Sequence, residues 1–199
     1  MKIGVDIDNT ITHTTEMIMH YARIFGEKHG LNTVADPSYY YLEDALGWER
    51  DIAEHFLDVY LPDIYREMRP KDQAVEVMRQ LKDEHELVLI TSRNQKFPEV
   101  EQVTLEWLER YGIAYDGLIL NATPNKHFFS KLGVCKEQGI EIMIEDHHDL
   151  IMELAQAFPV IVFDYPYNRH INAQNVYRVT HWQEVLERIN QLAAKRSAI

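Results

Sequence analysis

Two aspartates one residue apart, Asp6 and Asp8, follow the apolar run Lys2-Ile3-Gly4-Val5 and lead into Asn9-Thr10. Successive side chains of a strand point to opposite faces, so residues 6 and 8 leave the same face. They stand where a strand gives way to loop, the place at which open α/β sheets bind ligands. Two like charges held this close are stable when a cation lies between them or when one carboxyl keeps its proton. The pair therefore reads as a metal site, an acid–base pair, or both; a polar turn after an edge strand is the plain alternative. Three further groups sit at comparable positions. Thr91-Ser92-Arg93-Asn94 closes the apolar run Glu86–Thr91, Glu145-Asp146 follows Ile140–Ile144 with Asp149 one helical turn on, and Lys126 and Lys131 lie between. Taken singly, these are a helix N-cap, a negative first turn and solvated lysines. Taken together they carry more weight, because the tips of separate parallel strands converge on one edge of a sheet.

The elements that would bring them together alternate along the chain. Glu86–Thr91, Gly117–Leu120, Ile140–Ile144, Val160–Phe163 and Val176–Val179 read as strands after the first one. Helices are expected over Pro98–Tyr111, Ser130–Gln138, His148–Phe158 and His181–Ala194. Short continuous apolar strands spaced by helices imply an α/β fold with a doubly wound, mostly parallel, Rossmann-like sheet. One interval breaks the rhythm. Nearly eighty residues separate the first two strands, and much of that stretch has helical character: Thr15–His29, with Ile18, Tyr21, Ala22 and Phe25 on one face, then Trp48–Met68, and Pro70 opening a helix to His85. The excess, residues 11–69, is expected to form a helical cap over the carboxyl edge of a core made of residues 1–10 and 70–199.

Composition sets the outer bounds. A chain of 199 residues, 46% hydrophobic and 26% charged, suits a soluble globular protein. Its formal charge of −12 disfavours duplex nucleic acid as a general surface partner, while a small anion can still bind where cations are concentrated. The single cysteine, Cys135, excludes an internal disulfide, fits a reducing cytoplasm, and reads as a half-buried helix residue rather than a reactive thiol. No apolar run approaches the ~20 residues of a membrane span and no leader sequence is apparent, so a cytoplasmic protein without a membrane partner is expected. The oligomeric state is left open by the sequence.

In order, Asp6-x-Asp8-x-Thr10, Thr91 after an apolar run, a lysine, and Glu145-Asp146 resemble the four motifs of the haloacid dehalogenase-like phosphohydrolase superfamily, and a cap between the first two resembles its type 1 cap subgroup. Within it, Ser130-Lys131 with Val134-Cys135-Lys136-Glu137, the run Gly139 to Asp146, and Phe163-Asp164-Tyr165-Pro166-Tyr167-Asn168-Arg169 are similar to the 5′(3′)-deoxyribonucleotidases of the cytosolic type C 5′-nucleotidase family and their bacterial relatives. The resemblance implies Asp6 as a nucleophile forming an aspartyl-phosphate, and Asp8 as the general acid and base, protonated at rest. It implies Mg²⁺ held by Asp6, the backbone carbonyl of Asp8 and Asp146, with Thr91 and a lysine on the phosphoryl oxygens. Lys131 fits that role by position, with Lys126 as the alternative. Ser92 and Arg93 join the substrate side. Asn9 stands where relatives commonly have glycine, and Asn tolerates turn geometry. Glu145 replaces the first Asp of an Asp-Asp pair and is expected to reach the metal through water; Asp149 either anchors the lysine or caps a helix.

The implied substrate is a small phosphorylated metabolite, with a nucleoside monophosphate leading. In the cap, Tyr39, Tyr40, Tyr41 and Trp48 are aromatics able to stack on a base, Tyr41 and Trp48 foremost, or to form the cap's own core. Another phosphomonoester, such as a sugar phosphate or phosphoglycolate, is the first alternative. A non-catalytic relative that binds a phosphorylated ligand or another protein is the second.

Overall fold

The computed structural model describes residues 1–95, 98–123 and 129–197. Six strands, β1 (Lys2–Val5), β2 (Glu86–Asn94), β3 (Gly117–Asn121), β4 (Ile142–Glu145), β5 (Val160–Phe163) and β6 (Val176–Val179), form one sheet in the order β3-β2-β1-β4-β5-β6. Every neighbouring pair is parallel. The chain winds outward from β1 in one direction and returns past it to build the other half. The switch point, and with it the crevice for a ligand, therefore lies at the carboxyl ends of β1 and β4. The expected doubly wound α/β architecture is what the chain adopts.

Burial on both faces explains the apolar strands. Ile3 and Val5 of β1, Leu87 and Leu89 of β2, and Ile142 and Ile144 of β4 join one hydrophobic cluster, while Val88, Ile90 and Met143 belong to a second on the opposite face. β1 and β4 pack too closely for a side chain at Gly4, where a β-carbon would fall 2.6 Å from Met143 Sδ. Four helices associated with the sheet are α5 (Pro98–Tyr111), α6 (Lys131–Gln138), α7 (His148–Ala155) and α8 (Trp182–Ser197). Ser130 starts α6 as its N-cap, its Oγ accepting the Gly133 N–H at 3.0 Å, and thereby fixes Lys131 at the first helical position. Cys135 lies on α6 fully buried, not half-buried, and burial pushes its thiol up to about 12. A 3₁₀ turn, Pro166–Asn168, after β5 has no counterpart in the expected elements.

Between β1 and β2 the chain forms α1 (Thr14–His29), α2 (Leu42–Leu46), α3 (Arg50–Glu67) and α4 (Ala74–Glu84). Two expectations shift here. Trp48 lies between α2 and α3 instead of opening a helix, because Gly47 adopts a left-handed conformation and ends α2. The helix expected from Pro70 begins at Ala74, because Pro70 is held in an antiparallel bridge to Thr12. The bridge is flanked by backbone bonds from His13 N–H to Arg69 O and from Lys71 N–H to Ile11 O. The helical segment is sewn to the sheet at that neck and packs along α5, where the Trp107 indole donates to Met68 O at 2.8 Å.

Trp48 is 6% exposed, its ring 5.6 Å from Phe25 and 5.7 Å from Phe56, and its Nε1 donates to Asn32 O at 2.7 Å. The structure thus places Trp48 inside the helical segment and not on the surface facing the sheet. Trp48→Ala is expected to lower unfolding free energy by about 3–5 kcal/mol, read from urea denaturation; a change below about 1 kcal/mol would contradict this placement.

Candidate active site

The strand tips deliver their polar groups to one spot. Asp6 continues β1 by donating its N–H to Ile144 O at 3.0 Å, which aligns it with Glu145 and Asp146 at the end of β4. Lys131, 1% exposed, reaches in from α6. Its ammonium donates to Asp6 Oδ1 at 2.6 Å and to Glu145 Oε2 at 2.7 Å. The other oxygen of Glu145 accepts the N–H groups of Asp146 and His147, both at 3.1 Å. Glu145 therefore holds the lysine with one oxygen and the strand tip with the other. Lys126 lies outside the described residues.

Asp8 occupies a separate electrostatic compartment. Arg93 grips it with two bonds, Nε to Oδ2 and Nη2 to Oδ1, both at 2.8 Å, and Thr14 Oγ1 donates to Oδ1 at 2.7 Å. The guanidinium is itself fixed by Thr104 Oγ1 at 2.9 Å and lies 3.9 Å over the Tyr65 ring. Sequence reasoning put Arg93 on the substrate; the structure puts it on Asp8. Alternation along β2 accounts for the neighbours: Thr91 and Arg93 are buried, and Ser92 between them is exposed. Thr91 Oγ1 accepts the Arg93 N–H at 3.2 Å.

These contacts divide the paired aspartates. Burial raises Asp6 to about 8 against the pull of Lys131, and burial together with Glu145 and Asp6 raises Asp146 well above the carboxylate range. Burial would raise Asp8 too, but the charge and hydrogen bonds of Arg93 outweigh it and hold that carboxyl below its usual value. In the free site these contacts favour an ionised Asp8, where the resemblance implies a protonated one in the resting complex. Lys131, despite burial, is raised by Asp6 and Glu145 and stays charged.

Over the carboxylates lie aromatic rings. Tyr40, which did not stand out from its neighbours in the sequence, packs 4.0 Å from the His147 ring and 5.2 Å from Tyr167 between centroids. Burial and the charges of Asp146 and Asp6 push its hydroxyl upward, which marks its proximity to the cluster. Tyr41, 39% exposed, donates to Asp149 Oδ2 at 2.9 Å and ties the helical segment to α7. Asp149 thus meets Tyr41, while the groups bonded to Lys131 are Asp6 and Glu145. Tyr39 is exposed.

Donor oxygens of Asp6, Glu145 and Asp146 lie within 4.8 Å of one another. With Glu145 engaged, Asp6 and Asp146 supply hard oxygen ligands. Three buried carboxylates face one ammonium, so a divalent cation fits the site in both donor type and charge. His147, His148 and Asp149 form a second, more exposed group, in which His147 Nδ1 already accepts the Asp149 N–H.

An acid-tipped central strand, a lysine and an acidic pair meet at the switch point of a parallel sheet, with helices inserted after the first strand, which is the haloacid dehalogenase-like fold. The chain belongs to the family described as 5′ nucleotidase, deoxy (Pyrimidine), cytosolic type C protein, whose model matches residues 1–197, and is a phosphoric monoester hydrolase. It is 30% identical over 185 residues to "Putative nucleotidase BH1399" of Halalkalibacterium halodurans, covering 92% of this chain and 89% of the relative. It is 26% identical over 200 residues to "Nucleotidase CA_C3379" of Clostridium acetobutylicum, covering 100% and 98%. Among solved structures, the haloacid dehalogenase-like hydrolase SP0104 of Streptococcus pneumoniae superposes with a TM-score of 0.71 at 14% identity, covering 94% of this chain and 97% of that one, which speaks to the fold. Among the described residues, no helix is long and apolar enough to cross a membrane.

The acidic cluster makes stability depend on pH. Asp6 and Asp146 bind protons more tightly folded than unfolded, where an aspartate titrates near 3.8. Without a cation, their contribution is therefore full below that value and is lost as pH rises towards 8. The melting temperature of chelator-treated protein is expected to fall from about pH 5 to about pH 8. A millimolar divalent cation should restore it, most strongly at the upper end. A cation effect that is the same at both pH values would contradict this account.

Proposed function

We propose that this chain is a Mg²⁺-dependent nucleotidase that releases phosphate from nucleoside monophosphates by way of an aspartyl-phosphate on Asp6. The observation that carries the reading is the contact of Lys131 with both Asp6 and Glu145 beside Asp146. It aims one carboxylate into the ligand crevice with a cation already beside it. Asp6, Asp146 and the backbone carbonyl of Asp8 would hold Mg²⁺, a hard ion that neutralises phosphoryl charge and orients the reacting oxygens. The helical segment over residues 11–69 serves as the cap. The buried, unpaired Cys135 fits a reducing cytoplasm.

In the first step an Asp6 carboxylate oxygen attacks phosphorus and the ester P–O bond breaks. Lys131 and Thr91 steady the phosphoryl oxygens. The departing oxygen takes a proton from Asp8. Arg93 keeps Asp8 ionised in the free site, so that proton arrives with the substrate, as the monoanion of a phosphomonoester whose second ionisation lies at about 6. In the second step Asp8, again ionised, takes a proton from water as the water oxygen attacks phosphorus. The bond to Asp6 breaks and phosphate leaves with the proton. Family membership supports the nucleoside leaving group, and Tyr40 and Tyr41 at the mouth of the site supply rings for a base. Trp48 has no part in this reading.

A panel of 5′- and 3′-nucleoside monophosphates, sugar phosphates and phosphoglycolate, assayed with Mg²⁺ for phosphate release, tests the assignment. Highest kcat/KM is expected on a nucleoside monophosphate, with turnover abolished by EDTA and restored by Mg²⁺. Asp6→Asn should lose essentially all turnover while remaining folded. A sugar phosphate preferred over every nucleotide would sink the substrate assignment, and an active Asp6→Asn protein would sink the mechanism.

The proton argument has its own consequence. At saturating Mg²⁺, kcat/KM should decline as pH rises above about 6 to 7. Arg93→Gln, which frees Asp8 to rise, should move that limb upward by about 1 pH unit or more. An unmoved limb in a folded Arg93→Gln protein would show that Asp8 does not carry the proton.

A further inference from the structure

The turn after β5, Tyr165-Pro166-Tyr167-Asn168, is bonded to Asp146 from two sides. Tyr167 is buried, and its hydroxyl donates to Asp146 Oδ2. Asn168, fully buried, donates through Nδ2 to the Asp146 backbone oxygen at 2.8 Å, and its own Oδ1 is held by Arg178 Nη1 at 2.6 Å. A tyrosine hydroxyl has one proton and can accept two bonds. Asn9 Nδ2 donates to Tyr167 Oη at 3.3 Å, while Asn9 Oδ1 accepts the Thr15 N–H at 2.9 Å, which fixes the amide's orientation. The directions then follow one another: Asn9 gives a proton to Tyr167, and Tyr167 gives its only proton to Asp146. Asn9 sits in the left-handed region at φ 57°, and it is the residue that starts this chain of bonds.

We infer that Tyr167, oriented by Asn9, is the positioning residue of the metal centre: it engages Asp146 Oδ2 and leaves Oδ1 to meet the cation. Packing alone does not account for it. Phenylalanine would fill the same space without carrying a hydroxyl into a buried carboxylate cluster, and a buried hydroxyl is unfavourable unless bonded. The neighbouring Tyr165 marks the contrast. Its ring stacks on Tyr167 at 5.0 Å, yet its hydroxyl donates to Asn9 O at 3.1 Å and accepts from Lys71 Nζ at 2.6 Å. Groups bonded to a metal ligand typically set affinity by about ten- to a hundredfold.

This inference rests on the metal-dependent reading above, and direct binding separates the two. Mn²⁺ is titrated into the full chain and followed by the electron paramagnetic resonance of the free ion, with no substrate present. Tyr167→Phe should raise the Mn²⁺ Kd by about tenfold or more. In turnover it should raise the Mg²⁺ concentration for half-activation, with substrate KM at saturating Mg²⁺ unchanged. Tyr165→Phe should keep the Mn²⁺ Kd within about twofold. Asn9→Gly keeps the left-handed turn and should weaken Mn²⁺ in the same direction as Tyr167→Phe; it also decides the matter if Tyr167→Phe does not fold. Wild-type Kd values in Tyr167→Phe, or in Asn9→Gly where that variant decides, would overturn the inference, as would equal losses in the Tyr165 and Tyr167 variants. A wild-type chain that binds no Mn²⁺ would overturn the metal-dependent reading and this inference with it.

Discussion

The structure turns on the buried ammonium of Lys131. It lies between Asp6 at the tip of β1 and Glu145 at the tip of β4, and these two strands meet at the sheet's switch point. An ion pair taken out of water does not stabilise a fold by default, because desolvation competes with Coulomb attraction. Here the ammonium satisfies two carboxylates at once, and Glu145 completes its bonding on two backbone N–H groups. Ser130 makes the placement possible by starting α6 one residue earlier. The N-cap of a short helix therefore sets the position of a charge in the middle of the site. Asp146 is met by the neutral hydroxyl of Tyr167, and burial first, with the neighbouring carboxylates after it, drives the upward shifts of Asp146 and Asp6.

Asp8 escapes that excess because it has a cation of its own. Two carboxyls two residues apart, just past the tip of β1, end with opposite displacements, one raised by burial against the pull of Lys131 and the other lowered by Arg93. Environments that push a pair apart in this way assign acid and base work without any difference in residue type. The arginine is in turn held by Thr104 of α5 and covered by Tyr65 of α3. A helix packed on the sheet and a helix of the inserted segment thus both contribute to the state of a carboxylate just past the tip of β1.

The sheet and the meeting of its strand tips were legible because the rules are local. Short apolar runs between helices give a parallel sheet, and polar residues that close those runs then meet at one edge. What escaped depends on tertiary register. Arg93 reaches Asp8 because β2 pairs with β1 as Leu89 with Val5 and then runs on to Asn94, past the end expected at Thr91. The part played by Tyr167 depends on a 3₁₀ turn that returns to β4, a contact 21 residues long in sequence. The signal was present in the tyrosines and asparagine of the Tyr165–Asn168 turn, but aromatic residues near a turn do not declare a carboxylate partner. Trp48 and Tyr41 show the same limit from the other side. Both are large aromatics in the inserted segment, and only the fold distinguishes the one packed on Phe25 and Phe56 from the one reaching α7.

The inserted helices are attached unevenly, and magnitudes show where. At the neck, the Thr12–Pro70 bridge is flanked by two backbone hydrogen bonds, and a third polar tie joins Trp107 to Met68. Phe25, Trp48, Phe56 and Met68 share one hydrophobic cluster with Ile3, Val5 and Trp107, so the base of the segment is continuous with the core of the sheet. At the far end, the ties include the Tyr41–Asp149 hydrogen bond and ring contacts of Tyr40 and Tyr41 with His147, His148 and Tyr167. An intramolecular hydrogen bond contributes about 0.5–1.5 kcal/mol net, and the Tyr41–Asp149 pair is solvent-exposed. Burial of an aromatic such as Phe56 contributes ~1.5–3 kcal/mol by itself. Apolar packing therefore fixes the segment on the α5 side, while the side facing the carboxylates combines one exposed hydrogen bond with aromatic ring contacts. The hydrophobic cluster lies behind Asp8 and Arg93, and the mixed polar and ring contacts lie over Asp6 and Asp146, where a phosphorylated ligand has to enter.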